Sequence, residues 1–251
     1  MKYKEYISTH QLFTTEELLQ VTSAPTADVL LNRSLKAGDI ERVRRGLYVS
    51  KTGKYYGETP DPFAIVHALD AEGVLAYHSA LEVHGVAHSS SNRVAFRTGR
   101  VRSTFSYSGI TYVPLKAAPD ARTQMMHGKA FGRVLATTKE QTLVDCLDNA
   151  KLAGGIEEVL RSASAFPYMD FCELEALTGN GTAALAARLG WVLEAKQAEW
   201  NVPESLLHLL ESRLKAGPQR LDPGAKESAG WSKRWKLYLP APEEEMLSWL
   251  I

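Results

Sequence analysis

Phe13-Thr-Thr-Glu-Glu-Leu-Leu19 opens, and Ile40-Glu-Arg-Val-Arg-Arg-Gly-Leu-Tyr-Val-Ser50 closes, the stretch whose reading decides the fold. Thr14 is placed to accept an amide hydrogen bond as a helix N-cap. Glu17, three residues on, can bond back to complete a capping box. Phe13 before the cap and Leu18 at the fourth helical position have the spacing of a hydrophobic staple. Thr22-Ser-Ala24 breaks this pattern, and Pro25 suits the first turn of a second helix, where its missing N–H costs nothing. That helix is expected to run to about Ala37, with Gly38 as a left-handed cap. Residues 40–43 and 47–49 then alternate polar and apolar around the turn Arg44-Arg45-Gly46, as a hairpin does. Two short helices followed by a basic hairpin are the outline of a winged helix-turn-helix, a module that usually meets DNA.

The second helix divides into two faces. Ala27, Leu31, Ser34 and Leu35 share the side that packs against the first helix. Thr26, Val29, Asn32, Arg33 and Lys36 share the other. Asn and Arg can make bidentate bonds to adenine and guanine edges, which assigns Thr26, Asn32 and Arg33 to base contact. Lys36, Arg42, Arg44 and Arg45 are assigned to phosphates or the minor groove. A solvated amphipathic face would carry similar residues, so the three wing arginines bear most of the inference.

Composition sets the outer limits. The chain has 251 residues, 45% of them apolar, which allows a packed core and one or two domains. Without an apolar run of about 18 residues, a membrane span is excluded, and Met1-Lys-Tyr-Lys-Glu-Tyr6 lacks the apolar core of a secretory signal. Cys146 and Cys172 suggest neither a disulfide framework nor a zinc site. A cytoplasmic protein is expected. The net charge of zero hides segregation: Arg33 to Lys54 holds seven basic and two acidic residues, Arg93 to Lys139 nine and one, and Glu140 to the end 11 and 17. Basic blocks in a neutral chain suit a protein that offers one face to a polyanion.

Beyond residue 50, Lys51 to Pro62 is rich in turn formers and reads as a linker, which gives a DNA-binding domain over 1–52 and a second domain over 60–251. Asp61-Pro62 starts a helix to about Ala71. Strands are expected at 74–76, 93–97, 104–107, 110–114 and 131–136, and helices over 138–148, 156–163, 171–178, 182–196 and 203–215. The fold class is therefore α+β: a winged helix, then a larger mixed domain whose C-terminal half is helical. Arg93, Arg97, Arg100 and Arg102 lie in the β part, near Tyr107 and Tyr112. They form a possible second basic patch that could track a phosphate backbone, or a solvated loop.

Enzymatic constellations are weak. His78 and Glu82 are one helical turn apart, but His84 and His88 fall elsewhere and no H-E-x-x-H spacing exists. Asp145 and Asp148, three apart on a helix, make at most a loose cation pair. Asp170 with Glu194-Ala-Lys196 has the residue order of a magnesium-dependent nuclease, which needs its Glu-x-Lys on a strand, whereas here it ends a helical pattern. Gly179-Asn-Gly-Thr182 could meet a phosphate at a helix start but lacks the P-loop ending. Neither catalytic residues, metal nor cofactor is expected.

The segment Leu35-Lys-Ala-Gly38-Asp-Ile-Glu-Arg-Val-Arg-Arg-Gly46-Leu-Tyr48 resembles the wing signature of AbiEi-type antitoxins. Tyr77-His-Ser-Ala-Leu-Glu-Val-His-Gly85 is similar to that family's Ser-Ala-Leu-x-x-His-Gly helix. Ala136-Thr-Thr-Lys-Glu-Gln-Thr-Leu-Val-Asp-Cys-Leu147 is similar to its Glu-x-Thr-Leu-x-Asp-x-Leu helix. The three blocks occur in the family's order and place residues 10 to 215 roughly in register. The tail from Pro218, with Trp231, Trp235 and Trp249, resembles nothing in it. The resemblance implies a repressor of its own operon, bound to double-stranded operator DNA, acting as antitoxin of a type IV toxin–antitoxin (abortive infection) pair in phage defence. Its functional partner would be a nucleotidyltransferase-class toxin, with no stable complex required. A protein-binding antitoxin, a plain regulator and a nuclease remain as alternatives.

Overall fold

The computed structural model describes residues 3–179 and 181–251. Met1, Lys2 and Asn180, the last in the 179–182 turn considered above, lie outside the described residues. The fold is α+β and divides into two compact units. One comprises the chain up to Leu75 with Asn92–Ala118 and Met125–Leu135, the other Ala76–Ser91, Pro119–Gln124 and Ala136–Ile251. This division differs from the one expected at residues 52 to 60. Side-chain contacts tie the basic hairpin to strands some 60 residues further on, and such contacts cannot be seen in local sequence.

The first unit begins with α1 (Tyr3–Thr9), β1 (Leu12–Thr14), α2 (Thr15–Leu19), α3 (Ala24–Ala37), β2 (Ile40–Arg44) and β3 (Leu47–Ser50). Thr14 caps α2 as its sequence requires. Its Oγ1 accepts from the Glu17 amide at 3.1 Å, and the Glu17 carboxylate accepts the Thr14 amide at 2.7 Å. Pro25 lies in the first turn of α3, and Gly38 ends that helix at φ +74°, a conformation that a side chain would strain. The three strands form an antiparallel sheet in the order β1-β3-β2, with a bulge between Arg42 and Arg44. Phe13, Leu18, Ala27, Leu31, Ile40 and Tyr48 make the core beneath, joined by Tyr6 and Ile7 of α1. The arrangement is consistent with a winged helix-turn-helix. No element is expected from sequence ahead of Phe13. Helix α1 has seven residues with only Tyr6 and Ile7 buried, too little for a period to show.

Next come α4 (Pro62–Leu69), started by Asp61, whose side chain accepts the Phe63 amide at 2.8 Å, then β4 (Val74–Leu75) and α5 (His78–Val83). Strands β5 (Arg93–Thr98), β6 (Phe105–Tyr107), β7 (Ile110–Lys116), β8 (Thr123–Gly128) and β9 (Gly132–Thr137) follow. They join β4 in a six-stranded sheet of order β6-β7-β5-β4-β9-β8. Strands β6 and β7 form a hairpin through Ser108 at φ +49° and Gly109 at φ +80°, and β7 runs parallel to β5. Strand β8 is not among the strands expected from sequence, because Gln124-Met-Met-His127 does not alternate clearly.

The second unit also contains α6 (Lys139–Asp148), α7 (Ile156–Ser164), α8 (Phe171–Thr178), α9 (Ala183–Ala195), α10 (Gln197–Trp200) and α11 (Glu204–Ser212). The tail adds β10 (Gln219–Arg220), β11 (Gly230–Ser232), β12 (Leu237–Leu239) and α12 (Glu243–Ser248). Helix α9 is its centre, with every residue from Leu185 to Leu193 buried. Gly190 leaves a flat surface on which Trp235 lies, and a Cβ there would collide with the indole. The Trp235 and Trp191 indole N–H groups donate to Glu194 at 2.6 Å and Glu243 at 2.9 Å, as buried indoles must. Among the described residues no helix is long and apolar enough to cross a membrane.

Candidate nucleic-acid interface

Helix α3 presents the two faces its sequence predicts. Ala27, Leu31 and Ser34 are buried and Leu35 half-buried, while Thr26, Val29, Asn32, Arg33 and Lys36 are exposed. Val29 is 66% exposed, an apolar group in the middle of a polar stripe. The Thr26 hydroxyl lies 2.8 Å from that of Ser23 at the helix start, which restricts its orientation.

The hairpin arginines do not behave alike. Arg42 and Arg45 are exposed, and Arg42 rests over the Tyr48 ring at 5.8 Å. Arg44 is half-buried, its guanidinium 5.0 Å over the Phe105 ring of β6. Its Nη1 is buried without a hydrogen-bond partner among the described residues. Phe105 stacks in turn on Tyr112 at 4.6 Å, nearly parallel. Further back along β2, Tyr107 donates to Glu41 at 2.8 Å, and Lys51 approaches the same carboxylate at 3.5 Å. Burial first, then the Glu41 carboxylate, holds the Tyr107 phenol protonated well above its usual range. Through its own Glu41 and Arg44 the wing is therefore braced by Phe105, Tyr107 and Tyr112, residues whose contact with it the local sequence does not show. The aromatic character of residues 105–112 was the only available signal.

Two concave surfaces flank the hairpin within this unit. One, of about 690 Å³, lies between α3 and the hairpin and is lined by Thr15, Asp28, Leu31, Arg42, Arg45 and Tyr48. The other, of about 770 Å³, brings Arg44 and Arg45 together with Arg100, Gln20 and His67. Arg45 belongs to both. Of the possible second patch, only Arg100 joins the wing here, and its Nε is 3.7 Å from Asp70. Arg93 and Arg102 are exposed and Arg97 is half-buried.

The other constellations lie in the second unit. The His78 ring is buried between Glu158 at 3.4 Å and Glu82 at 3.6 Å. His84 meets the Thr137 carbonyl at 2.8 Å. Burial lowers the His84 pKa despite that bond, which favours the neutral ring. The Glu158 carboxylate accepts the His88 and Ser89 amides and the Ser89 and Ser162 hydroxyls. Asp145 accepts from Gln141 at 2.9 Å within α6, and Asp148 ends that helix. Asp170 caps α8, whereas Glu194 lies in α9, held by Arg234 and Trp235, and Lys196 ends the helix. Glu194 and Lys196 thus occupy a helix and its cap instead of the strand a nuclease motif requires.

Residues 1–51 match the model of a family described as transcriptional regulator, AbiEi antitoxin. The match covers α1 to β3 and stops short of the two helical blocks at 77–85 and 136–147. No curated protein matches the chain. Among solved structures, the chain is similar to the crystal structure of the RV2827C protein from Mycobacterium tuberculosis. The two share 15% identity with a TM-score of 0.67, over 96% of this chain and 89% of that one. At that identity the likeness concerns the fold alone. The family match supports a regulatory role for the segment that carries the basic hairpin.

Proposed function

We propose that the protein is a DNA-binding transcriptional repressor that recognises the operator of its own operon and serves as antitoxin of a type IV pair. The observation that carries this reading is a coincidence within one segment. The 51 residues that match a regulator family are those in which α3 exposes Asn32, Arg33 and Lys36 beside an outward-facing Arg42 and Arg45. A helix such as α3, about 21 Å long, fits the major groove lengthwise. Thr26, Asn32 and Arg33 then read base edges, while Lys36, Arg42 and Arg45 neutralise phosphates. The chemistry is recognition, with no bond made or broken.

Binding to the upstream region should weaken steeply with salt, since each neutralised phosphate contributes a slope of about −0.9 in log K against log salt. The Arg42→Ala, Arg45→Ala double variant is expected to lower that slope by about two. Unchanged affinity in that variant would falsify the wing assignment. The antitoxin half of the proposal requires a nucleotidyltransferase-class toxin encoded beside this chain and is tested by co-expression with that product. Rescue of growth by the full chain supports it, and continued toxicity leaves a plain regulator.

A further inference from the structure

The tail builds a small sheet of order β10-β12-β11 whose outer face carries two exposed aromatic rings and an arginine. Arg220 lies opposite Tyr238 and Tyr238 opposite Trp231, so the three side chains form one row across three strands. All three are exposed, Trp231 by 44% and Tyr238 by 40%, while their neighbours Leu221, Ser232, Leu237 and Leu239 are buried on the inner face. The two rings are 5.0 Å apart, and the Arg220 guanidinium stands 5.9 Å over the Tyr238 ring. Strands spaced about 4.8 Å apart make this row roughly 10 Å long. The inner face is anchored: Trp235 is fully buried, and the Arg220 carbonyl accepts from the buried Arg188 at 2.9 Å. The aromatic row therefore stands on a rigid base.

Charge indicates what the row receives. The chain from Glu140 onward is acidic in total, yet from Arg213 to Leu239 it holds seven Lys or Arg against Asp222 and Glu227 alone. Arg234 is committed to Glu194, Glu204 and Glu211, whereas Lys215, Lys226 and Lys233 are exposed around the sheet. A polyanion with flat apolar faces complements cations beside bare rings. A duplex hides its base faces in the stack, while a single strand offers them.

We propose that the Arg220–Tyr238–Trp231 row is a stacking platform for single-stranded nucleic acid, separate from the winged segment. One or two bases lie on the Trp231 and Tyr238 rings, and Arg220 and the nearby lysines follow the phosphates. This site depends on neither the operator nor the antitoxin reading.

The test uses the full chain carrying Arg42→Ala and Arg45→Ala, so that the hairpin adds little. Anisotropy is measured with a labelled, unstructured 12-nucleotide RNA and with the DNA of the same sequence, at low salt. Binding to either probe is expected, with about a tenfold loss in Trp231→Ala and in Tyr238→Ala and little loss in Tyr238→Phe. Arg220→Ala should lower the salt slope by about 0.7. Because Trp231 is the most exposed indole, binding should also quench tryptophan emission, and Trp231→Phe should remove the quench without altering thermal unfolding. No binding to either probe, or equal affinity after both rings are removed, overturns the proposal.

Discussion

At the scale of single residues, adjacent arginines with the same formal charge have different work. Arg45 faces outward in two clefts, whereas Arg44 is laid over Phe105 with one nitrogen buried. A guanidinium held over an aromatic ring is worth about 0.5–2 kcal/mol, depending on desolvation. Arg44→Ala is therefore expected to destabilise the fold by about 1 kcal/mol in chemical denaturation, and to lower the DNA salt slope less than Arg45→Ala does. An equal slope change in the two single variants, without loss of stability in Arg44→Ala, would contradict this division. Thr14 is a second such residue. Its reciprocal bonds with Glu17 satisfy two amides at the start of α2, and Thr14→Ala should cost about 1 kcal/mol by the same measurement.

Among the elements, those bounded by local chemistry were legible and those bounded by distant partners were not. Pro25 and Gly38 delimit α3, Thr138 caps α6 and Asp170 caps α8, each through bonds within four residues. By contrast, the three tail strands have only two or three residues each, and β8 lacks a clear alternation, so their sheet partners define them. Helix α9 illustrates both conditions. Its Ala-rich helical pattern is plain, but the reason for Gly190 emerges only when Trp235, 45 residues on, packs against it. Gly190→Ala is expected to destabilise the protein by about 3 kcal/mol, more than any helix-propensity gain could offset. Restoration of stability by the Gly190→Ala, Trp235→Leu pair would identify the collision as the cause, and a thermally neutral Gly190→Ala would refute it.

For the molecule as a whole, the two units carry different chemistry. The first gathers the hairpin, α3 and the residues that brace the wing, and the second buries polar groups that set its response to acid. Burial alone would raise the Glu158 pKa, but the Ser89 and Ser162 hydrogen bonds and the His78 ring outweigh it and hold the carboxyl below its ordinary 4.5. Burial likewise holds His84 below its ordinary 6.5, the Thr137 carbonyl offsetting only part of the effect. Both shifts are downward, so in each window the unfolded chain binds more protons and stability rises with pH. Melting temperature should thus fall as pH drops below about 6.5 through His84, and further below about 4.5 as Glu158 takes up its proton. Glu158→Gln should weaken the acid-most part of that fall while lowering the melting temperature at pH 7. An unchanged profile in the variant would show that Glu158 does not contribute.

By itself the sequence determined the elements whose signals are local: the capping box at Thr14, the bounds of α3, the basic hairpin, and the helices from α6 to α9. It also identified which face of α3 is polar, because a period of 3.6 residues assigns faces without reference to the rest of the chain. Tertiary structure alone decided that Arg44 is a strut, that Arg100 shares a concave surface with the wing, and that Arg220, Tyr238 and Trp231 form one row. Each depends on partners tens of residues apart, brought together by sheet register and close packing. Neither leaves a periodic trace in the chain.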